Sequence, residues 1–196
     1  MALVIKNLKK NFGRKEILHN FSYSFADRGI YAVTGESGIG KTTLLRIIAG
    51  LDKDFTGELS GAEQVSVAFQ EHRLFPNLSA LDNIVFAISD RKDEAVFLEA
   101  KKMLSKLGFD EADMLLFPDQ LSGGMKQRVS LARSFLYEGK ILLLDEPTKE
   151  LDEANAKRVK EVIKELSQSR LVILVSHKGE DLTDLGARII DLENQI

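Results

Sequence analysis

Apolar residues along this chain follow two alternating patterns. Short, nearly continuous apolar or aromatic stretches at 3–8, 16–25 and 30–34 predict strands, with Gly13 and Gly29 as punctuation. Residues 64–69 and 188–192 predict two more, and the wholly apolar runs 141–144 and 171–175 read as strands of a parallel sheet covered on both faces. Between these runs the spacing turns helical. Residues 41–49 form a helix with apolar positions on most sides, closed by Gly50. Ser79 with Asp82 has the form of a capping box ahead of Leu81, Ile84, Val85 and Ile88. A second helix carries Val96, Ala100, Met103 and Leu107 and stops at Gly108. A third, over 123–138, puts Met125, Val129, Ala132 and Leu136 on one face. A last helix after Asp152 presents Val159, Val162, Ile163 and Leu166. Strands alternating with helices argue for an α/β core. The run of helices from about 76 to 138 reads as a helical subdomain, and 1–75 with 139–196 as the rest of one 196-residue domain.

Composition narrows this picture. The charged fraction is 29% and the net charge −3, so no global basic field points to nucleic acid. There is no cysteine, which excludes disulfides, thiolate metal ligands and cysteine nucleophiles. The longest apolar runs are far short of the ~18 residues a membrane span needs. The opening Met1-Ala2-Leu3-Val4-Ile5-Lys6 turns polar too soon for a signal peptide. The expectation is a cytosolic protein.

Candidate chemistry sits where strands end. Gly35-Glu36-Ser37-Gly38-Ile39-Gly40-Lys41-Thr42 fits G-x-x-x-x-G-K-[ST] and lies between a strand and a helix. Such a loop can fold its backbone N–H groups around phosphates, and the helix N-terminus adds positive potential. Lys41 would reach the β- and γ-phosphates, and the Thr42 hydroxyl would ligate Mg²⁺. Asp145 ends an apolar strand, as a Mg²⁺-holding carboxylate does. Glu146 follows it and can orient and polarise an attacking water. His177 follows the strand 171–175, at the same inferred sheet edge where ligands bind. Ser122-Gly123-Gly124 opens a helix. Ser122 suits the N-cap, but two glycines weaken a helix start unless something must approach the backbone closely, and an anion is the obvious candidate.

On these residues the chain resembles the ATP-binding cassette of ABC transporters, over essentially its whole length. Phe12 stands where the family has an aromatic that stacks on adenine. Residues 35–42 are similar to the Walker A loop, 121–125 to the signature sequence and 142–145 to Walker B. The resemblance implies an α/β P-loop NTPase (RecA-like) core with an N-terminal antiparallel β subdomain and an inserted α-helical subdomain. It implies a Mg²⁺-dependent ATPase. Glu146, His177 and Gln70 would be catalytic, as glutamate, switch histidine and water-sensing glutamine. Thr42, Gln70 and Asp145 would hold the Mg²⁺. ATP would touch Phe12, Gly35, Ser37, Gly38, Gly40, Lys41, Thr42 and Thr43 in one copy. Ser122, Gly123 and Gly124 of a second cassette, expected to be an identical copy, would close over the γ-phosphate. Transmembrane permease subunits are the other implied partners. They place the chain at the cytoplasmic face of the membrane, touching neither the cargo nor nucleic acid.

Some positions depart from the family pattern. Met125 stands where glutamine is commonest, and Lys149-Glu150-Leu151-Asp152 where Ser-Ala-Leu-Asp is commoner, so a bulky acid enters the expected dimer seam. The chain stops at Ile196, without the C-terminal extension some importer cassettes carry. The segments 69–76 and 121–128 resemble cassettes of the nitrate, sulfonate and thiamine-precursor importers. Exporter cassettes of the lipoprotein-releasing or macrolide type are the alternative, and soluble ABC ATPases acting on ribosomes or DNA are a further class. A simple P-loop kinase would leave 121–125 and His177 unexplained. Leu74, Phe75 and Pro76 are expected to dock the permease; the other reading places Leu74 and Phe75 in the helical core.

Overall fold

The computed structural model describes residues 2–13, 15–88, 93–177 and 182–194. They fall into two compact units. One comprises Met1–Val67, Gly139–Glu146 and Leu166–Ile196; the other Ala68–Glu138 and Pro147–Glu165.

The first unit holds most of the sheet structure. Strands β1 (Val4–Phe12), β2 (Lys15–Ser24) and β4 (Thr56–Ser60) form an antiparallel sheet in the order β2-β1-β4. Its inner face contributes Ile5, Leu8, Leu18 and Phe21 to the core. Sequence periodicity does not reveal β4, whose only apolar residue, Leu59, is half-buried. An edge strand of Thr, Gly, Glu and Ser takes its order from β1, not from burial.

The second sheet has the order β5-β6-β7-β3-β8, from β3 (Gly29–Thr34), β5 (Val65–Ala68), β6 (Ile141–Asp145), β7 (Leu171–Val175) and β8 (Arg188–Asp191). The pairs β6–β7, β7–β3 and β3–β8 are parallel. Every residue of β6 and β7 is buried, which is why both read as unbroken aliphatic runs. The register sets Val33 beside Val175 and Val175 beside Asp145. The carboxyl ends of β3, β6 and β7 therefore lie along one sheet edge. Helix α1 (Lys41–Ile48) buries Leu44, Leu45, Ile47 and Ile48 in the same core.

The second unit is helical: α2 (Ala80–Ile88), α3 (Glu94–Lys106), α4 (Gly123–Leu136) and nearly all of α5 (Glu153–Ser167). At Ser79 the cap forms as half of the expected box, with the Asp82 carboxylate meeting the Ser79 hydroxyl. The hydroxyl accepts from the Asp82 amide at 3.1 Å and donates to the Asp82 carboxylate at 2.7 Å. Fully buried Asn83 ties down the preceding loop, accepting from Phe75 N–H and donating to the carbonyls of Phe75, Leu78 and Ser79. Helix α4 is covered more widely than a single apolar face predicts. Met125 and Leu136 are only half-buried, while Leu131, Phe135, Gln127, Arg128, Ser130 and Ser134 are buried with Val129 and Ala132. Three of its buried polar side chains make hydrogen bonds, Arg128 as described below, Ser134 Oγ donating to Leu131 O at 2.8 Å and Gln127 Oε1 accepting from the Glu150 amide at 3.2 Å, and polar residues escape a periodicity count.

Candidate functional site

The loop after β3 enters α1 through Gly40, at φ 115° and ψ 9°. That left-handed backbone favours glycine. Space demands it as well, since a Cβ there would lie 2.6 Å from Ile17 Cγ2. No side chain caps α1, and its first turn carries no acidic residue. The opening amides are thus left to an external acceptor. Lys41 is buried and bends back over the loop, donating to the carbonyls of Gly35 (2.7 Å) and Glu36 (2.9 Å). An arriving phosphate can replace those carbonyls as acceptor.

One turn into this site, Thr42 Oγ1 donates to Asp145 Oδ2 at 2.8 Å. The two residues are 103 positions apart and are brought together because β6 ends beside the loop. A hydroxyl and a carboxylate fit a hard cation that keeps waters and shares phosphate oxygens, as Mg²⁺ does. Among the described residues no three His, Cys, Asp or Glu side chains form a cage of their own. Glu146 adopts φ 51° and donates its N–H to Val175 O at 3.1 Å. Its Oε1 lies 2.6 Å from His177 Nε2, and its side chain is far less exposed than the histidine's. Ser176 N–H donates to Val33 O, holding the end of β7 against β3. Glu146 and His177 thus meet at the same edge as Thr42 and Asp145. A carboxylate fixed by an imidazole can orient a water and take its proton.

Phe12 closes β1, 56% exposed. Ser37 and Gly38 lie in the loop and Thr43 in the first turn of α1. Gln70, Ser122, Gly123 and Gly124 belong to the helical unit. There Ser122 caps α4, its Oγ accepting from the Met125 amide at 3.2 Å. Arg128 pins the start of that helix, donating Nε–H to Gly124 O and Nη1–H to Leu107 O and Asn155 Oδ1. Its guanidinium also stacks 4.8 Å over Phe109, and burial lowers its pKa from the usual arginine range.

Several contacts have no local sequence signal. Glu193 Oε1 accepts from Glu36 N–H at 2.8 Å, across 157 positions. His72 Nε2 lies 3.3 Å from Glu150 Oε2. That carboxylate oxygen would be 3.0 Å from a Cβ on Gly123, so the departure at Glu150 does bear on the start of α4. Buried Lys10 binds Asp52 and Asp54. A basic residue in a polar strand reads as solvated until its partners, 42 and 44 positions away, are seen. Phe75 is 42% exposed and meets the exposed Phe86 edge-on at 4.9 Å, while Leu74 is half-buried.

The profile of the ABC transporter family matches residues 18–149. The chain is 37% identical over 199 residues to the aliphatic sulfonates import ATP-binding protein SsuB 1 of Paracoccus denitrificans, covering 100% of this chain and 81% of that protein. It is 36% identical over 208 residues to the sulfate/thiosulfate import ATP-binding protein CysA of Mannheimia succiniciproducens, covering 97% of this chain. It spans only 58% of that relative's length. Among solved structures it is similar to the dimeric post-hydrolysis state of the ATP-binding cassette MJ0796 bound to ADP and Pi. The TM-score is 0.83 at 27% identity, covering 96% of this chain and 93% of that one.

Proposed function

Because the chain belongs to the ABC transporter family, we propose that it is the ATP-hydrolysing subunit of an importer. The observation that carries this reading is the meeting of Lys41, Thr42, Asp145, Glu146 and His177 at one sheet edge. Lys41 and the α1 amides bind the β- and γ-phosphates. Thr42 and Asp145 would hold Mg²⁺, which would neutralise charge on the phosphate oxygens. By the family resemblance, Gln70 would serve the metal and the water. Glu146, oriented by His177, aligns a water with the γ-phosphorus and takes its proton. The water oxygen bonds to phosphorus, the bond to the β–γ bridging oxygen breaks, and ADP and inorganic phosphate leave.

A second copy completes the site. Ser122 with the Gly123 and Gly124 amides of one copy caps the γ-phosphate held by Lys41 of the other. The dimeric cassette with ADP and Pi supports this pairing. The relatives named for import of sulfur oxyanions favour import of a small solute over export and make those anions the first cargoes to test. Membrane-spanning subunits are the other partners, a reading that the relatives named as import ATP-binding proteins support; no helix among the described residues is long and apolar enough to cross a membrane. The chain then works at the cytoplasmic face, held there by the permease. The exposed Phe75–Phe86 pair is the apolar surface best suited to it. Phe75→Ser should keep its melting temperature and lose co-purification with the permease; unfolding instead would return Phe75 to the core.

The decisive experiment measures phosphate release from ATP and Mg²⁺ over a range of chain concentrations. Activity per chain should rise with concentration, and Ser122→Arg should bind ATP yet release no phosphate. Concentration-independent turnover, undiminished in Ser122→Arg, would refute the shared site.

A further inference from the structure

Lys10 carries a charge where little solvent reaches it, its side chain being 3% exposed. All three of its N–H donors have oxygen partners: Asp52 Oδ1 at 2.9 Å, Asp54 Oδ2 at 3.2 Å, and the Asp54 carbonyl. The Asp52 hydrogen bond raises the Lys10 pKa, and Asp52 is in turn lowered, first by its bond to Lys10. The ammonium is therefore both fixed and permanently charged near neutral pH. It sits 4.9 Å from the centroid of the Phe12 ring. That is within the range where a cation is held by a ring quadrupole, and a cation there draws the ring's electron density toward itself.

Phe12 needs such a support. At the end of β1 and 56% exposed, it has little packing of its own to hold one rotamer. An aromatic left free must be ordered when a base stacks on it, and that ordering subtracts from affinity. We propose that Lys10, anchored by Asp52 and Asp54, is the positioning residue that presents Phe12 as a preformed platform for the nucleotide base. This rests on the reading that the chain binds ATP. It adds that base affinity is set by a buried charge that touches no nucleotide, separately from the phosphate loop.

The test separates base from phosphate by comparing ATP with inorganic tripolyphosphate as ligands of the full chain. Lys10→Met should weaken ATP binding by about tenfold and leave tripolyphosphate binding within about twofold. Lys10→Arg, which keeps the cation, should restore most of the ATP affinity. In a Phe12→Ala background, Lys10→Met should have no further effect, because the platform through which it acts is gone. Asp54→Asn, at a fully exposed side chain, should weaken ATP binding in the same direction by less and keeps the test open if Lys10→Met folds poorly. Equal losses for ATP and tripolyphosphate, or an unchanged loss in the Phe12→Ala background, would reduce Lys10 to a clamp on β1 and overturn the inference. If the unaltered chain bound tripolyphosphate but not ATP, the platform would be refuted and the phosphate loop kept. If it bound neither, the nucleotide reading would fall and this inference with it.

Discussion

Helices α1 and α4 both begin behind glycines, yet their starts are built in opposite ways. The start of α1 has no side-chain cap, and Gly40 is required by the fold itself: its φ is 115° and a Cβ would strike Ile17. The start of α4 is capped from within by Ser122, and Gly123 has ordinary backbone geometry. A Cβ at Gly123 would meet only the end of the flexible Glu150 side chain. One start is uncapped and held rigid by packing. The other is a finished helix end kept small on its outer side. A glycine that the fold requires and a glycine that it does not look alike in sequence, and only the surroundings tell them apart.

The largest expected effect tests the chemistry beside the first of these starts. Glu146→Gln should cut phosphate release by about 10²–10⁴-fold, the usual worth of a general base, while ATP still binds. Turnover within tenfold of the unaltered chain would remove Glu146 from the reaction. Next, the two glycines should separate on stability. Gly40→Ala should destabilise by about 2 kcal/mol, from left-handed backbone strain and the Ile17 contact, read as a fall of roughly 4–8 °C in Tm. Gly123→Ala should stay within about 0.5 kcal/mol yet lower phosphate release. Equal thermal shifts in the two variants would erase the distinction drawn above. Ser122→Ala should then remove the internal cap of α4 at a loss of about 1 kcal/mol, with no counterpart at α1, where no cap exists to remove.

The smallest effect is a pH response at the next helix. Asp152 accepts from the Asn155 backbone N–H at 2.9 Å and from its side chain at 2.7 Å, capping α5. The Asn155 backbone bond first, and then its side chain, hold the Asp152 pKa below 3.8. A carboxyl depressed by folding stabilises above its unfolded pKa and loses that contribution as pH falls below about 4. Acid titration of helix content should show this loss in the unaltered chain and its absence in Asp152→Asn.

Much of the molecule is legible where local pattern carries the cause. Buried parallel strands need unbroken aliphatic runs, so β6 and β7 announce themselves. A glycine loop between a strand and a helix has a fixed spacing, so the placement of residues 35–42 between β3 and α1 is legible too. The illegible parts have remote causes. Strand β4 exists because β1 offers it hydrogen bonds, not because of its own polar residues. Lys10 looks like any surface lysine until Asp52 and Asp54 fold over it. His72 offers no signal for meeting Glu150, 78 positions away. Their places after apolar strands suggest Glu146 and His177, but their pairing at 2.6 Å comes from the parallel register that ends β6 and β7 together.

The backbone of Glu146 carries one more implication. At φ 51° a glutamate sits where side chains other than glycine, asparagine or aspartate are strained by roughly 1–2 kcal/mol. Selection for folding alone has no reason to keep it there. A glycine at 146 would relax the turn, so a laboratory thermostability screen should favour it even if it ends the reaction proposed for Glu146. The cost of a glutamate in this backbone is one that the reaction proposed for Glu146 would account for and that packing does not.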